Sequence, residues 1–315
     1  VNRKAIADYL AAAVIGVGAP LFRAVGSQPG SYPRYMRQAD RSGVHLRSTH
    51  YYQPVYSERD LPAVTDGERD LPGLDLREGE QLALLESFCF QQELAQFLDV
   101  PPHGLAFGHQ NILYAYGDAE SLYCMLRRSR PRRMIEIGSG YSTRVARVAL
   151  ARNAAEDGSP PCRHLCIEPF PSEQLDQLGA EVLAREVQDV DFEHFASLQA
   201  GDVLFIDSSH VIRPYGDVLF EYQRIIPALA KGVLVHVHDI FTPRDYPEKW
   251  LRGERRLWNE QYLLETMLTH SPRYQVRLAL NWLKHNHHRA FARAFPRAAG
   301  SPNHQPGAFW FEIAH

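Results

Sequence analysis

The stretch that most constrains the fold of this chain is Arg132–Thr143, which reads R-R-M-I-E-I-G-S-G-Y-S-T. Met134 to Ile137 is a short apolar run suited to a buried parallel strand, and Gly138-Ser139-Gly140 suits a tight turn. Tyr141 to Arg152 then places Val145, Val148 and Ala149 at helical spacing. A strand, a glycine turn and a helix N-terminus together let backbone approach a nucleotide-like ligand closely.

Such a turn serves more than one kind of ligand, and it also occurs as a plain buried strand-to-helix connection. A dinucleotide site wants G-x-G-x-x-G or A, because the last small residue lets helix and strand pack closely. Here the third position is Thr143, bulky and β-branched, and an acid, Glu136, precedes the first glycine by two residues.

Downstream the alternation is regular. Strands are expected at His164–Glu168, Arg185–Val187, Val203–Asp207 and Val233–Val237. Helices are expected at Glu173–Leu183, Phe192–Gln199 and Tyr215–Ala230, the last closed by Gly232. A Pro- and aromatic-rich insertion, 241–257, precedes a helix at Trp258–His270. Tyr274–Leu280 and Ala308–Ile313 alternate like a closing pair of strands. The basic, His-rich segment Lys284–Gln305 reads as solvated helix and loop. This is an α/β pattern with a mostly parallel sheet.

Upstream, residues 1–110 read as a helical and loop-rich accessory region, and 111–315 as the domain carrying the glycine turn. Leu76–Phe90 is expected to be a core-facing helix, and Asp118 to cap a helix that runs to Arg130 before Pro131. Ala5–Ile15 is expected to be a helix stopped by Gly16, Gly18 and Pro20. The uncharged run Tyr9–Phe22 is short for a bilayer span, so it is read as a docking helix and the protein as cytoplasmic.

A formal net charge of -3 gives no global reason to expect nucleic acid or an anionic membrane as partner. The four cysteines form no CxxC pair, which favours reduced thiols over a disulfide or metal framework. Oligomeric state is left open, a homo-oligomer included.

In an open parallel sheet, ligands sit outside the carboxyl ends of the strands. That rule selects Glu136, Glu168, Asp189, Asp207 and Asp239, each ending a strand. Glu168 suits two ribose hydroxyls, since one carboxylate accepts both bonds. His236 and His238 project on one face of their strand, and His210 follows the neighbouring one. Histidine there serves either proton abstraction or metal ligation; His236 reads better as a core residue. Tyr246, Trp250, Trp258, Asn259 and Tyr262 are expected either to wall an acceptor or to pack the insertion.

These motifs together resemble bacterial class I S-adenosylmethionine (SAM) methyltransferases of the Methyltransf_24 type. The resemblance is carried by Glu136–Ser142, Ile167-Glu-Pro169, Phe205–His210, His236–Phe241 and Trp258–Tyr262, and runs from about Tyr116 to the C-terminus. It implies a Rossmann-like sheet with an antiparallel C-terminal strand, and SAM as cofactor. It further implies that Glu136, Gly138, Ser139, Gly140, Ser142, Glu168, Gln188, Asp189 and Asp207 surround SAM, Glu136 helping to receive its ammonium group. The expected reaction is methylation of a small-molecule or sugar hydroxyl. One route uses His210 or His238 as general base, with Asp239. The other uses a divalent ion held by Asp207 and Asp239, with His210 or His238. Related metal-dependent O-methyltransferases usually carry Asn or Asp after the second acid, whereas Ile240 stands here. Two further readings are an NAD-type oxidoreductase, disfavoured by Thr143 and the closing strand pair, and a non-catalytic SAM-fold binding protein.

Overall fold

The computed structural model describes residues 3–63, 67–158 and 160–315. The chain gathers into two compact units. One holds the described residues up to 63 with Arg252–Leu257, and the other holds residues from 67 to Leu251 with Trp258–His315.

The larger unit is built on seven strands: β1 (Arg133–Ile137), β2 (Arg163–Ile167), β3 (Glu181–Leu183), β4 (Val203–Ile206), β5 (Leu234–Val237), β6 (Tyr274–Ala279) and β7 (Phe309–Ile313). Their order across the sheet is β3-β2-β1-β4-β5-β7-β6. Pairings from β3 through β5 are parallel, and β7 runs antiparallel to both β5 and β6. Strands covered on both faces need no polar alternation, and Val203-Leu-Phe-Ile206 is accordingly fully buried. On one side the helices Asp118–Ser129 and Tyr141–Asp157 pack through Leu122, Tyr123, Val145, Ala146 and Ala149. Because β1 neighbours both β2 and β4, chain direction across the sheet reverses between β1 and β4. That is where such a sheet opens a crevice.

Several local expectations are corrected. Residues 173–183 are not a helix: a 3₁₀ turn at Asp176–Leu178 ends at Gly179 (φ +74°), and β3 follows directly, ahead of the strand expected at 185–187. The left-handed glycine reverses the chain before a second helical turn can form. The helix before β5 starts at Asp217 and contains a π-helical turn, Glu221–Ile225. The segment Lys284–Gln305 is not simply solvated: Phe291 and Phe295 are fully buried, and Lys284 donates to the carbonyls of Pro302 and His304. Asp118 does not cap its own helix; its Oδ1 accepts the Gly307 and Ala308 N–H groups at 2.9 and 2.8 Å. Residues 67–110, expected within an accessory region, belong to the larger unit, with Leu85, Leu94 and Phe97 in its core.

In the smaller unit, α1 (Arg3–Ser27) and α2 (Pro33–Ser42) are followed by an extended stretch; the Tyr35 hydroxyl accepts the Leu46 N–H at 2.6 Å. The stop expected at Gly16, Gly18 and Pro20 does not occur. One proline forfeits a single helical hydrogen bond while keeping helical φ, and Gly18 leaves the room that the Phe22 ring fills.

Candidate active site

The crevice lies where the switch point puts it. Gly138 (φ +79°) follows β1, and a Cβ there would sit 1.8 Å from the Asp207 carbonyl oxygen after β4. Only glycine permits both this left-handed backbone and this approach. A cleft of about 300 Å³ opens beside it, lined by Gly138, Glu168, Phe170, Gln188, Asp207 and Arg213 among others. Glu168 is fixed from below: its Oε2 accepts the Ser139 N–H at 3.2 Å and its Oε1 the Phe170 N–H at 2.9 Å. A carboxylate has lone pairs to spare after two such bonds.

Of the residues expected around the cofactor, Gly138, Glu168, Gln188 and Asp207 line this cleft. Ser139 contributes its backbone N–H to Glu168, and Gly140 donates its N–H to the Thr143 hydroxyl at 3.0 Å. Asp189 is exposed and is not among the lining residues. Glu136 is the main correction. It is fully buried, with Oε1 accepting from the Ser142 and Thr143 hydroxyls at 2.6 and 3.0 Å and Oε2 lying 2.8 Å from His164 Nε2. Its carboxylate is spent on anchoring the following helix to the sheet, and Ser142 is spent with it. Thr143, in the place of the third glycine, is part of the same anchor. Cys166 lies beside it, with burial pushing its thiol above the ordinary range.

Next to the cleft, Asp207, His210 and Asp239 converge, each offering a donor atom within 4.8 Å of the others. His210 Nε2 lies 3.3 Å from Asp207 Oδ1 and 3.6 Å from Asp239 Oδ2. Its other nitrogen, Nδ1, is 2.8 Å from Glu260 Oε2, and Glu260 Oε1 accepts the Tyr222 hydroxyl at 3.0 Å. Both His210 (φ +60°) and Asp239 (φ +56°) hold left-handed backbone. For a residue with a Cβ that costs of order 1–2 kcal/mol, and such strain gathers at functional sites.

Burial works against the charged imidazole of His210, but its bonds to Asp207 and Glu260 outweigh it and hold its pKa well above the ordinary value. Burial likewise opposes ionisation of Asp207, yet the His238 and His210 charges bring its pKa below normal. For Asp239 burial prevails and raises it. His238 Nε2 is 3.6 Å from Asp239 Oδ1, and the Tyr114 ring stands 4.8 Å from its own. His236 stacks on Phe205 at 4.2 Å, and burial drives its pKa well down; it is a neutral core side chain.

The five expected acceptor residues separate. Trp258 lies 4.4 Å from the His210 ring, at the convergence itself. Asn259 is structural: its side-chain oxygen accepts the Ile212 N–H at 2.6 Å, and its N–H donates to the His210 carbonyl. Tyr246 is buried, accepting the Gln261 N–H; Trp250 meets Trp258 edge-on at 5.0 Å; Tyr262 donates to Asp245. Sequence reading missed Glu260, Tyr222, Phe170 and Arg213. Glu260 was inside the Trp258–Tyr262 motif, so its presence was visible but its reach to His210 was not.

The donor set fits a divalent cation: two half-buried carboxylates and one imidazole, from the ends of two adjacent strands. The cleft equally fits an adenosyl group, with a fixed acid, a polar Gln188 and the exposed Phe170 ring at its edge. Sheet order, antiparallel β7 and a glycine turn at the switch point define the Rossmann-like class I methyltransferase architecture.

Residues 135–240 match the family model of a methyltransferase domain. An uncharacterized protein of Archaeoglobus fulgidus is 29% identical over 165 residues, which are 48% of this chain and 72% of the relative. Among solved structures, the O-methyltransferase TomG from Streptomyces achromogenes, involved in tomaymycin synthesis and in complex with SAM, is 18% identical. It covers 74% of this chain and 90% of its own, with a TM-score of 0.37. The O-methyltransferase from Bacillus cereus in complex with SAH is 12% identical, covering 74% and 91%, also with a TM-score of 0.37.

Proposed function

We propose that this protein transfers the methyl group of SAM to a hydroxyl of a small-molecule or sugar acceptor, at a divalent cation held by Asp207, His210 and Asp239. The observation that carries the reading is the adjacency of the Gly138–Glu168 cleft to that three-residue convergence, with Asp207 belonging to both. SAM would supply an electrophilic methyl group, and the cation would lower the pKa of the acceptor hydroxyl. The chain's own contribution is placement. Glu168 receives the ribose hydroxyls, Gln188 faces the base, and Phe170 offers a ring for stacking. Glu260 orients the His210 ring through Nδ1, so that Nε2 faces the reacting side. Trp258 excludes water from one flank of the imidazole.

A second reading follows from the same His210–Glu260 bond: His210 itself takes the hydroxyl proton, with Glu260 as the orienting carboxylate. Turnover of SAM to S-adenosylhomocysteine, with a panel of hydroxylated acceptors, distinguishes the two. Loss of activity in EDTA, restored by Mg²⁺ or Mn²⁺ and absent in Asp239→Ala, supports the cation. Full activity in EDTA with a blank metal analysis favours the histidine base. Absence of SAM binding in calorimetry sinks both.

A further inference from the structure

The N-terminal helix is the largest apolar feature that the proposed chemistry does not use. Among the described residues α1 is the one helix long and apolar enough to cross a membrane. At 1.5 Å per residue its apolar window of 18 residues spans about 27 Å, close to the ~30 Å hydrocarbon core of a bilayer. None of that window is buried in the protein; Tyr9, Leu10, Val14, Ile15, Val17 and Leu21 are all exposed.

The distribution around the helix discriminates between occupants. A helix docking in a protein groove buries one stripe and keeps a polar face. Between Ala5 and Phe22 the only charged or polar-chain residues are Asp8 and, by its hydroxyl, Tyr9, so every face is apolar. Gly16, Gly18 and Pro20, read from sequence as breaks, lie inside a continuous helix, as glycine and proline do in membrane spans.

Charge supplies an independent observation. In a chain of net charge -3, residues 23–57 hold five arginines, Arg23, Arg34, Arg37, Arg41 and Arg47, and one acid, Asp40. Arg34, Arg37 and Arg41 are exposed on α2, immediately after the apolar helix. The same unit exposes Tyr51 and Tyr52, a residue type enriched at membrane–water interfaces.

We infer that α1 spans a lipid bilayer and that the arginines after it engage anionic headgroups, holding the catalytic unit at the cytoplasmic face of the membrane. Basic residues near the ends of a span favour the cytoplasmic side, which sets this orientation. The juxtamembrane arginines add an electrostatic attraction for anionic lipid.

The test is reconstitution of the full chain from mild detergent into vesicles of phosphatidylcholine, with and without phosphatidylglycerol, followed by flotation. The protein should float with both compositions and resist high salt and alkaline carbonate. Val14→Asp/Val17→Asp should abolish flotation with unchanged melting of the larger unit. Arg34→Gln/Arg37→Gln/Arg41→Gln should leave insertion intact and reduce the preference for anionic vesicles by about ten-fold or more. The inference is overturned if the chain does not float, if salt strips it from the vesicles, or if it is held only by a protein partner. It is also overturned if protein recovered from cells begins beyond Ser27, as a cleaved leader would.

Discussion

Glu136 and Glu168 stand at the carboxyl ends of adjacent parallel strands and carry the same functional group, yet the structure gives them opposite surroundings, one in the core and one at the cleft. Glu136 has both oxygens engaged in the core, so Glu136→Ala should cost at least ~2 kcal/mol of stability through the lost charge-assisted bonds. SAM affinity measured at a temperature where the variant is folded should be nearly unchanged. Glu168→Ala should do the reverse: melting close to wild type, and SAM binding in calorimetry weaker by roughly 1–3 kcal/mol. In the proposed mechanism Glu260 acts through its 2.8 Å contact with His210 Nδ1. Glu260→Gln should lower kcat about 10–100-fold, the usual effect of removing an orienting carboxylate, while the Kd for SAM stays put; an equal loss in both would make Glu260 merely structural.

Among the elements, the β1 turn is the least tolerant. Gly138→Ala forces a Cβ into the Asp207 carbonyl and a left-handed alanine, the backbone alone costing roughly 1–2 kcal/mol. Thermal unfolding should therefore show a lower Tm, and the cleft should lose SAM. The helix Asp118–Ser129 carries a pH signature. Burial raises the Glu120 carboxyl from 4.5 to about 7, against bonds from the Gly117, Ala298 and Arg297 N–H groups. The folded state thus holds a proton that the unfolded chain releases. The stabilisation is complete below the unfolded value of 4.5 and is lost as pH rises through about 7. Denaturant titrations across that window should show a fall that Glu120→Gln removes.

For the whole molecule, the choice between cofactors rests on the turn and the closing strands together. The place where a dinucleotide site wants a small residue is held by Thr143, buried in the anchor of Glu136, and β7 closes the sheet antiparallel. Calorimetry should find binding of SAM and S-adenosylhomocysteine and none of NAD; tight NAD binding would return the oxidoreductase reading.

Much of this was legible in the chain because it depends on neighbours in sequence. The run Met134–Ile137, the glycines after it and the apolar strand Val203–Ile206 declare a parallel sheet through local periodicity. Most strand-end acids follow from that periodicity, but Asp189 does not: it closes a 3₁₀ turn, Val187–Asp189, and not a strand. Which way an acid turns does not follow either: Glu136 and Glu168 look alike until the sheet brings His164 beneath one and a cleft beside the other. Glu260 reaches His210 across fifty residues of chain, a pairing that no spacing rule encodes. The N-terminal helix differs again, since its apolar letters were plain but their continuity through Pro20 and exposure on every side were matters of conformation. Side-chain chemistry is written residue by residue, whereas burial and partnership arise only when distant segments meet.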